Sequence, residues 1–228
     1  MEKKYKKVIA LLPMKGNSQR IPKKNLKKLD GKPLYHYILK SLINSSYIKK
    51  IIINTDCKNI TKNIKDNFSE KVEINKRPKE LIGDMIPMND IISYDINKIK
   101  ENYFIQTHST NPLLKTSTIN KAIKSFFNNK KKFDSLFSVN KIQTRLYFKS
   151  LKPINHNPKK LERTQDLKPV YEENSNLYIF SKNSFKRANN NRIGLKPNLF
   201  EINKLESIDI DDYEDFILVK NLKKGNFR

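Results

Sequence analysis

Short apolar runs alternate along this chain with segments in which apolar residues recur at helical spacing. Each run predicts a strand, because a strand buried in a parallel sheet is short and continuously apolar. These runs lie at residues 8–12, 51–56, 72–74, 103–106 and 134–139. Spacings of three and four predict helices at residues 34–44, 58–67, 88–99 and 116–128. The alternation predicts an α/β fold with a parallel sheet and right-handed crossovers.

A loop with several cations and one glycine follows the first predicted strand. It runs from Lys15 to Asn25 and contains Ser18, Arg20 and Lys24. A strand, a loop and a helix in this order bring backbone N–H groups and cations to the carboxyl edge of a sheet, where open α/β folds bind ligands. The loop therefore predicts a polyphosphate site. Its spacing matches neither the P-loop nor the dinucleotide fingerprint, so a solvated basic loop is an equally good interpretation of the spacing alone.

A pair of carboxylates near the end of the chain is a candidate metal site. Asp209 and Asp211 are two residues apart, and in a strand such residues point to the same side. Two carboxylates aimed at one point supply the hard oxygen ligands that Mg²⁺ prefers. The alternative is a helix start, in which Asp211 or Asp212 caps a helix that begins at Tyr213.

Length and composition indicate one domain. A chain of 228 residues, 37% of them apolar, is long enough to bury a single core, so we predict one domain over residues 1–228. Cys57 is the sole cysteine, which excludes an intrachain disulfide and favours a cytoplasmic setting. The sequence contains no apparent signal peptide or membrane-spanning segment.

The formal net charge is +24, which is typical of nucleic-acid-binding proteins. The charge comes mainly from lysines that are spread along the chain, and no RNP-like aromatic motif or zinc-finger spacing accompanies them. We therefore expect any nucleic-acid binding to be nonspecific, although a basic nucleic-acid-binding protein stays open as an alternative.

The segment from Pro13 to Leu34 resembles the signature loop of the acylneuraminate (CMP-sialic acid type) cytidylyltransferases. The shared positions are Pro13, Lys15, Ser18, Lys24, Asn25 and Gly31-Lys32-Pro33-Leu34. Two positions differ. Lys15 stands where the family has arginine, which keeps the charge but loses the two-pronged geometry. Gln19 stands where the family has lysine, and Arg20 beside it supplies a cation.

Further segments extend the resemblance over nearly the whole chain. Residues 77–84 resemble a motif of the family's nucleotide pocket, and residues 107–113 resemble its substrate-facing loop. Residues 207–211 match the family's metal motif letter for letter. Glu172 stands where the family has an arginine just before Asn174. That side chain therefore cannot hold the carboxylate of an acidic sugar in this protein.

The resemblance implies a three-layer α/β/α nucleotidyltransferase fold with a Rossmann-like, GT-A-like sheet. It implies transfer of CMP from CTP to the anomeric hydroxyl of a sialic-acid-like nonulosonic sugar, with release of pyrophosphate and Mg²⁺ as cofactor. The implied catalytic residues are Lys15, Arg20, Lys24 and Asp211. The implied nucleotide-binding residues are Lys15, Ser18, Arg20, Lys24, Asn25, Arg77 and Asp84. The implied sugar-binding residues are His108, Asn111, Glu173 and Asn174, and the implied metal ligands are Asp209 and Asp211.

The periodic pattern weakens from Lys141 to Pro169, since prolines, asparagines and lysines dominate there. The resemblance implies that residues 141–175 protrude, help to form a homodimer and close over the substrate. A short hairpin is predicted from residue 145 onward. Because of Glu172, transfer of CMP to another acid sugar, such as Kdo, stays open, and Gln19 leaves an inactive homologue as a further alternative.

Overall fold

The computed structural model describes residues 5–68 and 71–225. Its strands are β1 Val8–Leu11, β2 Lys28–Leu29, β3 Lys32–Pro33, β4 Ile48–Thr55, β5 Val72–Lys76, β6 Tyr103–Thr107, β7 Ser135–Ile142, β8 Val170–Ser181 and β9 Pro197–Glu201. Its α-helices are α1 Tyr35–Ile43, α2 Lys58–Asn67, α3 Met88–Asn97, α4 Thr116–Asn129, α5 Lys182–Arg187 and α6 Tyr213–Lys224. None of the helices within these residues is long and apolar enough to span a bilayer.

Seven strands of the described chain form one mixed sheet in the order β5-β4-β1-β6-β8-β7-β9. The neighbours from β5 to β6 are parallel, as the alternation of strands and helices predicts. Strand β8 is antiparallel to both of its neighbours, so the prediction of a parallel sheet is wrong at this strand. β7 and β8 are joined by residues 143–169 without a crossover helix, and such a connection places the second strand antiparallel beside the first.

Helices cover both faces of the sheet, which gives the predicted three layers. Alternation along β1 sends Val8 and Ala10 to one face and Ile9 and Leu11 to the other. Apolar positions of α1, α2 and α4 bury against the first face, whereas those of α3 and α5 bury against the second. Both faces of the central strands are therefore shielded from solvent, which explains their continuous apolar runs.

A third apolar cluster ties the basic loop to the end of the chain. Ile21 in the loop and Leu34 after it pack against Ile210 and against Phe216 and Val219 of α6. The Asp212 carboxylate accepts hydrogen bonds from the backbone N–H groups of the first turn of α6, and a capping box completes the cap. The cluster therefore places the residues around Ile210 beside the basic loop.

Several local predictions hold and others do not. The predicted bounds of α2 are confirmed, and so is the cap by Asp212. The N-cap of α4 is Lys115, and the helix ends at Asn129, one residue beyond the predicted end. The Thr116 hydroxyl donates to the Ser41 carbonyl at 2.9 Å. The prediction that Asp209 lies in a strand is also wrong, because residues 208–211 form a segment that belongs to no strand.

The connection between β7 and β8 is long and exposes apolar side chains. An isolated antiparallel bridge joins Tyr147 to Pro153, where the sequence predicts a hairpin. Leu151 and Leu161 are 80% and 91% exposed, and Phe148 is 54% exposed. Large apolar side chains at such exposure, on one segment of the chain, are typical of a surface that binds a partner.

Candidate active site

A cavity of about 530 Å³ lies at the carboxyl ends of the central strands. Open α/β sheets bind ligands at this edge. Its walls come from the basic loop, the segment after β5, the loop after β6 and the segment before α6. The sequence-predicted residues that line it are Lys15, Ser18, Arg20, Lys24, Asn25, Arg77, Asp84, His108, Asp209 and Asp211.

The basic loop is held in shape by contacts at both of its ends. The Gly16 N–H donates to Asp56 Oδ1 at 2.8 Å, and a Cβ at Gly16 would lie 2.8 Å from the Cβ of Cys57, so a side chain there has no space. Asn25 Nδ2 donates to the Lys15 carbonyl at 2.8 Å, and Ser109 Oγ donates to Asn25 Oδ1 at 2.6 Å. Asn25 therefore shapes the loop around the cavity.

Asn54 and Asp56 lie at the carboxyl end of β4, just before α2 begins. The N-cap of α2 is Cys57, without a side-chain cap hydrogen bond. Asn54 and Asp56 instead support Arg77 and Gly16. Their polar groups therefore hold the basic loop and Arg77, both of which form walls of the cavity.

Asp84 faces the first half of the basic loop. Lys15 Nζ donates to its Oδ1 at 2.6 Å, and Gln19 Nε2 donates to its Oδ2 at 2.7 Å. The hydrogen bond from Lys15 is the main reason that the pKa of Asp84 lies below its ordinary value. Gln19, where the related family has lysine, thus contacts the same carboxylate as Lys15.

Asp211 faces the second half of the loop. Arg20 Nη2 lies 2.8 Å from Asp211 Oδ1, and Lys24 Nζ lies 3.6 Å from the same oxygen. Lys24 also donates to the Ile210 carbonyl at 2.6 Å, and only 12% of its side chain is exposed, against 64% for Arg20. Lys24 is therefore a fixed cation, whereas Arg20 is held by one exposed ion pair.

The Asp209 carboxylate has the surroundings of a metal ligand. Its Oδ1 atom is buried and has no hydrogen-bond partner among the described residues. Burial raises the pKa of Asp209, and the neighbouring Asp211 carboxylate adds to the rise. A bound cation would offset both effects.

The described residues contain no cluster of three or more acidic, histidine or cysteine side chains that would hold a metal alone. Mg²⁺ does not need one, because it binds through one or two carboxylates together with water and substrate phosphates. Asp209 and Asp211, at the wall of a cation-rich cavity, fit that ion.

Arg77 forms part of the cavity wall, and hydrogen bonds to Asn54 hold its guanidinium in place. Its side chain is buried, its Nε donates to Asn54 Oδ1 at 2.7 Å, and its Nη2 donates to the Asn54 carbonyl at 3.1 Å. Asn54 Nδ2 in turn donates to buried Asp95 Oδ1 at 2.8 Å. Burial lowers the pKa of Arg77, and the charge of Asp95 opposes that shift. Asp95 lies on α3 among apolar positions, so the sequence carries no signal for its role.

The His108 ring lies at the side of the cavity near β6. Its Nε2 atom is buried and lacks a hydrogen-bond partner among the described residues. Burial lowers the pKa of His108 to about 4, and the cations Arg192 and Lys24 contribute in the same direction. The ring is neutral at pH 7, so it can donate or accept one hydrogen bond to a ligand.

Three predicted sugar-binding residues do not line the cavity. Asn111 is fully buried. Asn174 accepts from Ser138 Oγ at 2.6 Å and donates to Asn140 Oδ1 at 3.0 Å, which ties β8 to β7 across a register shift. Glu173 accepts from the Tyr178 hydroxyl. In the structure Asn111 is part of the interior, whereas Asn174 and exposed Glu173 bond to other side chains of β7 and β8.

Ser175 lines the cavity where Asn174 was expected. Its φ is 56°, a left-handed conformation that disturbs the simple alternation of a strand. A serine in a strand carries no sequence signal for such a conformation, which is why the sequence favours its neighbours.

A basic loop after the first strand of an α/β sheet, facing a pair of carboxylates, defines the class of nucleotidyltransferases. The chain belongs to the cytidylyltransferase family, whose model matches residues 9–224. This confirms the resemblance found in the sequence.

Curated relatives and solved structures agree with this assignment. The chain is 25% identical to pseudaminic acid cytidylyltransferase of Campylobacter jejuni, with 96% of this chain and 97% of the relative covered. It is also 25% identical to N-acylneuraminate cytidylyltransferase of Streptococcus agalactiae, with 93% and 52% covered. The CMP:2-keto-3-deoxy-manno-octonic acid synthetase complexed with CTP matches the fold with a TM-score of 0.68 at 11% identity, over 97% of this chain and 100% of that one. The predicted fold class is confirmed.

Proposed function

We propose that this protein transfers CMP from CTP to the anomeric hydroxyl of an acidic nonulosonic sugar of the pseudaminic or sialic type and releases pyrophosphate. The observation that carries the proposal is the convergence of the basic loop and the Asp209–Asp211 pair on one cavity. Membership of the cytidylyltransferase family supports the nucleotide. Full-length similarity to a pseudaminic acid enzyme and partial-length similarity to sialic acid enzymes support the sugar class.

Lys15, Arg20 and Lys24 hold the triphosphate in this proposal. As the sugar hydroxyl attacks the α-phosphorus, negative charge grows on the phosphate oxygens and on the leaving pyrophosphate. Cations that are already in position stabilise that charge without reorganisation. Lys24, fixed by the Ile210 carbonyl, meets that condition in the structure, while Lys15 and Arg20 exchange their carboxylate partners for phosphate.

Asp209 and Asp211 hold Mg²⁺ in this proposal. The bound ion supplies neutralising charge next to the phosphates. The two carboxylates have different tasks. Asp209 presents a buried oxygen that has no hydrogen-bond partner within the described part of the chain, and Asp211 keeps Arg20 and Lys24 close to the same place.

The remaining residues position the two substrates. Arg77, Asp84 and the Asn25-braced loop form the nucleotide side, because they stand after β5 and β1. His108 follows β6 and forms the sugar side together with Ser175. A neutral His108 ring suits hydroxyl groups of a sugar.

We further infer that the protein acts as a homodimer through residues 143–169. This segment exposes Phe148, Leu151 and Leu161, and it connects the paired strands β7 and β8. A second copy covering this surface would bury apolar area that otherwise faces water.

The experiment that tests the proposed reaction is pyrophosphate release with Mg²⁺, each of the four nucleoside triphosphates, and N-acetylneuraminate, legionaminate, pseudaminate or Kdo. We expect release with CTP and at least one nonulosonate. Release with Kdo alone would change the sugar class. No release with any pair would contradict the proposal, and salt-resistant, sequence-selective nucleic-acid binding would then be tested.

A further inference from the structure

Arg192 is a cation whose guanidinium is held by two side chains, and no sequence motif indicates its role. Its Nη1 donates to Gln106 Oε1 at 2.6 Å, and its Cζ lies 3.7 Å from the centroid of the Tyr178 ring. Gln106 and Tyr178 are Cα partners across the β6–β8 pair, and both are fully buried. A guanidinium stacked on a ring and bonded at one nitrogen is fixed in orientation.

The backbone around Arg192 is built to hold it there. Asn189 and Asn190 take left-handed φ values of 54° and 58°, and Gly194 has φ 76°. A Cβ at Gly194 would lie 2.5 Å from Asp134 Oδ1. Next to Arg192, Ile193 packs into the apolar cluster under α3 and α5. This loop is therefore anchored on both sides of the cation.

Arg192 is connected to the sugar side of the cavity through Tyr178, although Arg192 itself is not among the residues that line the cavity. The Tyr178 hydroxyl lies 3.2 Å from Ser175 Oγ, and Ser175 lines the cavity. The charge of Arg192 is also the main electrostatic influence on the His108 ring. Because β6 and β8 are adjacent and β5 is at the far edge of the sheet, Arg192 lies on the side away from Arg77.

The guanidinium has donor capacity left for a ligand. It carries five N–H groups, and among the described residues Gln106 and the Tyr178 side chain are its hydrogen-bonding neighbours. Glu173 is a nearby anion, but it already accepts from the Tyr178 hydroxyl. A partly buried guanidinium with free donors favours a carboxylate, which it binds through two parallel hydrogen bonds.

The position where the family has an arginine cannot take this role. Glu172 is exposed, and it accepts from Asn140 Nδ2 at 3.0 Å. An acidic sugar in the cavity therefore needs a cation from elsewhere in the chain. Lys15 and Arg20 are paired with Asp84 and Asp211 on the phosphate side.

We propose that Arg192 binds the carboxylate of the acidic sugar and thereby makes the enzyme select acidic over neutral sugars. This inference rests on the proposed function, and it names the group that determines specificity at the same site. Arg192 binds and orients the sugar, while the phosphate chemistry stays with the basic loop.

The test compares Arg192→Gln and Arg192→Lys with wild type, with Arg187→Gln as the matched control, since Arg187 is an exposed arginine at the end of α5. Each protein is assayed with the sugar that wild type uses and with the methyl ester of that sugar, whose carboxylate is neutral. Thermal unfolding and the KM for CTP are measured alongside, so that a folding defect is recognised.

We expect Arg192→Gln to raise the KM for the acid at least about tenfold, the range of a charge-assisted hydrogen bond. The KM for CTP should be unchanged. The KM of Arg192→Lys for the acid should fall between those of wild type and Arg192→Gln. Wild type should prefer the acid to the ester, and Arg192→Gln should lose most of that preference. A merely structural arginine would weaken acid and ester equally.

If wild type and Arg192→Gln discriminate equally between acid and ester, the assignment of Arg192 is overturned. The assignment is also overturned if Arg187→Gln loses the preference for the acid as Arg192→Gln does. In both cases turnover by wild type leaves the proposed function standing. If wild type releases no pyrophosphate with any acidic sugar, the proposed function itself fails, and this inference is overturned with it.

Discussion

At the residue scale, charge pairing organises the cavity. Asp84 pairs with Lys15, and Asp211 pairs with Arg20. These pairs are half-exposed, so each contributes little to stability. Their value lies in keeping cations and carboxylates close to the place where we propose that phosphates and a metal ion bind.

Asp211→Asn should reduce pyrophosphate release by about a hundredfold or more at every Mg²⁺ concentration. The substitution removes a charge that positions two cations and that, in our proposal, also binds the metal ion. Steady-state assays over a Mg²⁺ series measure this. Asp66→Asn, on the exposed face of α2, is the control and should behave like wild type. Wild-type rates in Asp211→Asn would remove Asp211 from the metal site.

The His108 ring should make stability depend on pH. Folding lowers the pKa of His108 from 6.5 to about 4, so the unfolded chain binds the proton at higher pH than the folded one. The stability that follows from the neutral ring is present above pH 6.5 and is lost as the pH falls towards 4. Urea unfolding of wild type and His108→Gln over this range should show a shallower pH dependence in the variant. Parallel curves would show that His108 titrates normally.

At the element scale, the N-terminus of α6 joins stability to the site. Asp212 caps the helix, and the apolar side of α6 packs on Ile21 and Leu34. The cap therefore helps to hold the segment with Asp209 and Asp211 against the basic loop.

Asp212→Ala should lower the free energy of unfolding by about 1 kcal/mol, the usual cost of a lost N-cap hydrogen bond. Urea denaturation gives this value. Lys220→Ala, at an exposed position of the same helix, should change it by less than about 0.5 kcal/mol. Equal effects of both substitutions would contradict the role of the cap.

At the scale of the whole molecule, the segment 143–169 exposes apolar side chains that contacts within a single chain do not cover. Its exposed side chains Phe148, Leu151 and Leu161 belong to none of the three apolar clusters of the core. Such a surface would be stabilised if a second copy covered it.

The double substitution Leu151→Asp and Leu161→Asp should convert a dimer into a monomer, because two buried charges would oppose association. Light scattering coupled to gel filtration measures the mass. Leu218→Asp, 48% exposed on α6, should leave the mass unchanged. A wild-type monomer, or a dimer that survives the double substitution, would contradict the proposed interface.

The sequence by itself determined the local elements and the family. Apolar periodicity located the strands and helices of the core, since burial requires those patterns. The segment Pro13–Leu34 and the pair Asp209–Asp211 marked two walls of one cavity, because such motifs are continuous in the chain. The family model confirms the family that they indicated.

The tertiary structure alone decided which side chains meet. The antiparallel direction of β8, the left-handed Ser175 and the support of Arg77 by Asp95 all depend on contacts between distant segments. Arg192 lies 86 residues from Gln106 in the chain but 2.6 Å from it in space. A motif records neighbours along the chain, whereas the sugar side of this cavity is assembled by packing across the sheet.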